Sequence, residues 1–207
     1  MSLLSQQVRI PTEQPDDTYR FSIAQFDRMV QSRTLDEDEA VELLDGIVLR
    51  KMPKSPRHRV SARKIIRALE RVIPEAWHVE KEEPIAIPPD GKPEPDVAVI
   101  RRELEFDATR DAPAHLCCLV VEVADAELAR ARSQKLSMYA RAMIPVYWIV
   151  SLRGGTPPGS GQIEVYTDPD EAGNYRTRAE YKPGDVVPVV VAGVEVGTIG
   201  VSDLLPW

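Results

Sequence analysis

The sequence predicts an α/β (α+β) domain built on a central mixed β-sheet flanked by helices, with an added antiparallel edge. Three observations lead there. Cys117 to Ala124 reads Cys-Cys-Leu-Val-Val-Glu-Val-Ala, apolar enough for a strand buried on both faces. A helical spacing of small and apolar residues follows to about Met143, and then a second apolar run from Val146 to Leu152. Strand, helix, strand in that order implies a right-handed crossover and a parallel pair. Finally, Gln162 to Thr167 and Tyr175 to Tyr181 have the composition of two antiparallel edge strands.

Composition is compatible with that class. At 207 residues, 43% hydrophobic and 29% charged, the chain is long enough to bury its own core. Residues 1–20 are polar and proline-bearing and read as a loose arm; 21–207 read as a single domain without internal repeats. The two cysteines, Cys117 and Cys118, are neighbours in one strand and cannot readily pair, so neither a disulfide framework nor a zinc site is expected. With no signal-like N-terminus and no apolar run long enough for a bilayer, a cytoplasmic protein without a membrane partner is expected.

Taken in order, Ser22 caps a helix from Ile23 to Gln31, and acid-rich turns from Leu35 to Glu42 extend this first helical element. Asp45-Gly46 between apolar residues signals a hairpin-like turn into a strand ending near Met52. Pro53 and Pro56 break that strand. Pro56 suits an early helical position, and Val60, Ile65, Ile66, Leu69 and Val72 or Ile73 form an apolar stripe reaching Pro74. Trp77 to Glu83, Ile85 to Ile87 and Asp96 to Ile100 read as a strand meander, followed by a polar loop from Arg101 to Ala114. Asp125 can cap the helix after the Cys117 strand, and the glycine- and proline-rich stretch Gly154 to Gly161 reads as a mobile loop.

Glu122 is the chemically telling residue, because an unpaired carboxylate in a strand buried on both faces costs several kcal/mol, roughly. It must be neutral, ion-paired or bound to a cation. Asp96 opens another apolar strand, so two acids face one core. Lys135 shares a helical face with Leu128, Ala131, Tyr139 and Ala142. It either points its ammonium at the acids for chemistry, neutralises Glu122 structurally, or snorkels to solvent. Tyr139 either hydrogen-bonds in the same place or packs.

Net charge is −7, which argues against a generally basic nucleic-acid binder, yet Arg50 to Arg71 is strongly basic. Arg57, His58, Arg59, Arg63, Lys64 and Arg67 are its candidate nucleic-acid contacts, against the alternative of an ordinary solvated helix face. His58 either touches phosphate or is the satisfied partner of a neighbouring group.

Several motifs together resemble the Uma2 family. They are Glu42-Leu-Leu-Asp-Gly-Ile-Val, Met52-Pro with Ser55-Pro-Arg-His58, Pro93-Glu-Pro-Asp-Val-Ala-Val99, Leu119-Val-Val-Glu-Val123, Lys135-Leu-Ser-Met-Tyr139 and Ile144-Pro-Val-Tyr-Trp-Ile-Val150. Tyr181-Lys-Pro-Gly-Asp185 and Val201-Ser-Asp-Leu-Leu205 resemble that family's closing strand and terminal helix. The resemblance implies a restriction endonuclease-like core of the PD-(D/E)xK superfamily, an endonuclease whose acids hold a divalent cation. It maps the first acid to Asp96 and the second to Glu122. Ala124 stands where the superfamily's strand lysine would be, so that role passes to Lys135, and Glu42 matches an additional acid beside the metal.

Carboxylates without clustered cysteine or histidine suit Mg²⁺ or Mn²⁺ rather than zinc. The expected partner is nucleic acid, DNA foremost, and a homodimer is compatible. Two other functions fit the same residues: a non-cleaving nucleic-acid-binding module, or a structural dimeric protein in which Asp96, Glu122 and Lys135 are only a buried ion-pair network.

Overall fold

A computed structural model of the chain describes residues 17–36, 39–103, 111–125, 128–152 and 161–207. The expected arm and the loop after Leu152 therefore lie almost wholly outside the described residues. Helix α1 (Ile23–Gln31) starts at Ser22, whose hydroxyl accepts from the Gln25 amide while the Gln25 side chain caps the Ser22 amide. Strands β1 (Val41–Leu44) and β2 (Ile47–Arg50) form a hairpin. Asp45 and Gly46 both take positive φ, 50° and 76°, which a tight two-residue turn requires. Glu42 thus belongs to a strand and not, as its acid-rich surroundings predict, to a helical element. Pairing across the turn outweighs the helical preference of the acids.

Helix α2 (Pro56–Leu69) has Ser55 as its cap and Pro56 at its start. It stops at Leu69, short of the expected Pro74, and its buried stripe runs through His58, Ser61, Ala62, Ile65 and Leu69. Val60 and Ile66 are only half-buried. Strand β3 (Trp77–Glu80) pairs antiparallel with β5 (Val97–Arg101), but β4 (Ile85–Ala86) leaves the sheet to pair with β6 (Ala112–Pro113). The predicted meander is therefore interrupted, because Pro84, Pro88 and Pro89 deny that segment the donors a central strand needs.

A 3₁₀ turn (Ala114–Leu116) leads into β7 (Cys117–Ala124), buried at every position. The helical run after it comprises α3 (Leu128–Arg130), a π turn (Ala131–Lys135) and α4 (Leu136–Arg141). Strand β8 (Val146–Ser151) pairs parallel with β7, as the strand–helix–strand order predicts. Strands β9 (Gln162–Pro169) and β10 (Tyr175–Tyr181) extend the sheet antiparallel, giving the order β10-β9-β8-β7-β5-β3. A hairpin absent from the sequence reading, β11 (Val186–Val191) and β12 (Val194–Gly200), precedes α5 (Val201–Leu204).

Alternation along β5, β7 and β8 divides the core between the two faces of the sheet. Val97, Val99, Val121, Trp148 and Val150 pack with α2, β11 and α5; Ala98, Ile100, Val120, Tyr147 and Ile149 pack with the helical run. Each large aliphatic buried in this way contributes about 1.5–3 kcal/mol. Among the described residues no helix is long and apolar enough to cross a membrane.

Candidate active site

Where β7 ends and β5 begins, the sheet and three other elements enclose a cavity of about 150 Å³. Val97 lies opposite Val121, and carrying that antiparallel register back one residue sets Asp96 across from Glu122. Strand β1 brings Glu42, the start of α2 brings His58, and the π turn brings Lys135; all five side chains line the cavity. They are also buried, between 1% and 8% exposed.

Lys135 sits between two acids. Its Nζ donates to Glu122 Oε1 at 2.8 Å and lies 2.9 Å from Glu42 Oε2. Tyr139, one turn on, both packs in the core and donates its hydroxyl to the same Glu122 oxygen at 2.9 Å. The π turn matters here: its wide loop is pinned where the Tyr147 hydroxyl donates to the Ala131 carbonyl at 3.1 Å. Such turns widen a helix locally and re-aim the side chains they carry.

Asp96 is held from both sides. Oδ2 accepts from the Val123 amide at 2.7 Å and is 2.9 Å from His58 Nε2, while Lys54 Nζ lies 2.8 Å from Oδ1. His58 is thus a partner of Asp96 inside the site. Lys54 was not a sequence candidate; the only local signal is its place between Pro53 and Pro56 in the loop entering α2. It also reaches Glu82 Oε1 at 2.7 Å.

The three acids are crowded. Glu42, Asp96 and Glu122 share one desolvated place with Lys54, Lys135 and, 4.0 Å from Glu42, the Arg130 guanidinium. Burial pushes the Glu122 carboxyl up to about 7; Lys135 pulls the other way, and the charges of Asp96 and Glu42 add to the push. Asp96 goes the opposite way. Burial alone would raise it, but the His58 hydrogen bond and charge, then Lys54, hold it at about 2. Lys135 loses some basicity to burial, yet the two glutamates outweigh that and keep its proton well above the usual lysine range.

The donor chemistry fits a hard cation. The site's acids offer carboxylate oxygens, and two buried atoms there have, among the described residues, no hydrogen-bond partner: His58 Nδ1 and Glu42 Oε1, the latter with the Arg130 guanidinium 4.0 Å away. Among the described residues no three His, Cys, Asp or Glu side chains stand in metal-holding geometry, the acids being bridged instead by ammonium groups. Asp96, just ahead of β5, and Glu122, on β7, stand across from each other at this cavity.

The basic helix divides. Arg63 and Arg67 are exposed, and Arg59 is exposed while donating to the Lys54 carbonyl at 2.7 Å. Arg57 stacks over Trp207 at 5.6 Å, and Lys64 bonds the Leu205 carbonyl. Part of the predicted nucleic-acid face therefore fastens the C-terminal segment onto α2.

A family model named Uma2, described as "Putative restriction endonuclease", matches residues 23–199. Among solved structures, the chain is similar to a crystal structure described as "a putative nuclease belonging to DUF820" from Anabaena variabilis. The TM-score is 0.65 at 12% identity, covering 89% of this chain and 97% of that one. No curated protein matches the chain.

Proposed function

Since the chain belongs to the Uma2 family, we propose that it is a metal-dependent nuclease that hydrolyses phosphodiester bonds in DNA. The observation that supports this best is the cavity on which Asp96, Glu122 and Glu42 converge with Lys135. Asp96 and Glu122 would hold Mg²⁺ or Mn²⁺, with Glu42 as the additional acid. The cation would offset the negative charge that develops on a phosphoryl group under attack and lower the pKa of a water beside it.

The remaining work falls to the chain's own side chains. Lys135 keeps its proton at neutral pH, so it acts as a fixed positive charge and hydrogen-bond donor toward the phosphate and not as the base. Tyr139 and Lys135 together orient Glu122, and His58 with the Val123 amide orients Asp96. Arg63 and Arg67, exposed on α2, are suited to the phosphates flanking the cut.

Titration with Mg²⁺ and Mn²⁺, read by melting temperature and by plasmid cleavage, tests this assignment. Wild type should gain stability and cut, whereas Asp96→Asn and Glu122→Gln should gain much less and not cut. Salt-sensitive DNA binding without cleavage would make the chain a binding module. Equal metal shifts in all three proteins would place no metal at these acids.

A further inference from the structure

Of the groups around Asp96, only one is able to leave. Oδ2 is taken by the backbone amide of Val123 in β7 and by His58, whose side chain is buried on α2. Oδ1 is taken by Lys54, whose side chain is 29% exposed and sits on the short loop between β2 and α2. Lys54 also has a second acceptor at hand, Glu82 Oε1 at 2.7 Å, whose side chain is 37% exposed. It lines the cavity together with Met52, which is 55% exposed, so this side of the cavity meets solvent.

We propose that Lys54 is an internal counter-ion that occupies the metal-facing oxygen of Asp96, competes with the cation for it, and on displacement presents its ammonium to a phosphate of the bound nucleic acid. This rests on the nuclease assignment above and goes beyond it by naming a residue that links metal entry to substrate contact. An ammonium and a divalent cation cannot share one oxygen lone-pair direction at contact distance, and the like charges repel. A cation taking that direction would move Lys54 outward by a rotation of its flexible stem. Glu82 gives the ammonium a partner until a phosphate arrives.

Mn²⁺ affinity measured by calorimetry or electron paramagnetic resonance on the whole chain is the test, with Lys54→Met and Lys54→Gln as neutral variants. Lys51→Met serves as the control, since Lys51 lines the same cavity but pairs with Glu94. Both Lys54 variants should bind Mn²⁺ at least about tenfold tighter than wild type, and Lys51→Met should change affinity by no more than about twofold, through general charge alone. DNA affinity with Mn²⁺ present should fall in the Lys54 variants, with the slope of log affinity against log salt reduced by roughly one.

Equal or weaker Mn²⁺ binding by the Lys54 variants overturns the inference, as does an equal gain in Lys51→Met. An unchanged salt slope removes the phosphate contact. Absence of Mn²⁺ binding in every protein, wild type included, overturns the metal assignment itself and this inference with it.

Discussion

Two networks of buried carboxylates hang on the same six-stranded sheet, and they differ in how their charge is matched. On β9, Glu164 is fully buried and receives Arg132 through Nε on both oxygens at 3.0 and 3.1 Å, the Tyr166 hydroxyl at 2.7 Å and Arg178 at 3.2 Å. Two cations surround one acid. Burial alone would raise its carboxyl, but the hydrogen bonds from Arg132 and Tyr166 hold it below the usual glutamate range. Around Glu122 three acids share Lys54, Lys135 and Arg130, Glu42 Oε1 has no hydrogen bond, and the Glu122 carboxyl rises. A buried acid is therefore not a site by virtue of burial; what separates the two is a crowd of three carboxylates beside an empty volume. The π turn joins them, sending Arg132 to one network and Lys135 to the other.

The largest expected difference is catalytic. Asp96→Asn or Glu122→Gln should lower metal-dependent DNA cleavage by about 10³-fold or more, and Glu164→Gln by less than about tenfold at a temperature where it is folded. Comparable losses in all three would erase the distinction.

Stability should show the opposite order. Glu164→Gln leaves the Arg132 guanidinium without its anion, while Arg178 keeps Glu180, and is expected to cost about 2–3 kcal/mol by urea unfolding, moderated because both arginines can reach water. Glu122→Gln, which removes a carboxylate that burial and the neighbouring acids disfavour, should be neutral or mildly stabilising in the metal-free protein. A larger loss at Glu122 would mean that its network is the structural one.

A pH series sharpens the comparison further. The folded Glu122 carboxyl titrates at about 7 against 4.5 for an ordinary glutamate, so between those values the folded chain holds a proton that the unfolded chain has released. Its contribution is complete below about 4.5 and is lost as pH rises through about 7. Metal-free wild type should thus lose on the order of 1–3 kcal/mol across this window, and Glu122→Gln should not. Asp96 works at the other end: its contribution is present above 3.8 and disappears as pH falls toward 2. The melting temperature of the two proteins from pH 3 to pH 8, on the order of ten points each, decides it.

The smallest effects concern α2. Arg63→Ala with Arg67→Ala should weaken DNA binding and flatten its salt dependence by about one unit per lost phosphate contact. Lys64→Met should instead cost about 1 kcal/mol of stability, because its ammonium holds the Leu205 carbonyl. Filter binding across salt concentrations separates the two roles.

What could be read from the sequence was what local pattern dictates. The β7 strand announced itself by apolar continuity, α1 by its Ser22 cap, and the parallel β7–β8 pair by order alone. Asp96, Glu122, Lys135 and Glu42 were legible as candidates through motif resemblance, and all four line one cavity. Lys54 was not, since its partner Asp96 lies far along the chain and no periodicity links them. Glu164 escaped for the same reason. The β11–β12 hairpin was hidden by its turn, Ala192-Gly193, where alanine takes φ 50° in place of the asparagine or aspartate that usually marks such a corner.

The π turn at Ala131–Lys135 has one more consequence. It holds extra backbone relative to a regular helix, with α4 locked downstream by buried Met138 and Tyr139. Loss of a single residue there would regularise the coil and swing everything before the lock by about 100° around the axis, the rotation per residue of an α-helix. The position of Arg132 relative to Lys135 is accordingly encoded in chain length as much as in residue identity. A one-codon deletion at Ser133 or Gln134 would part the two networks that this turn joins.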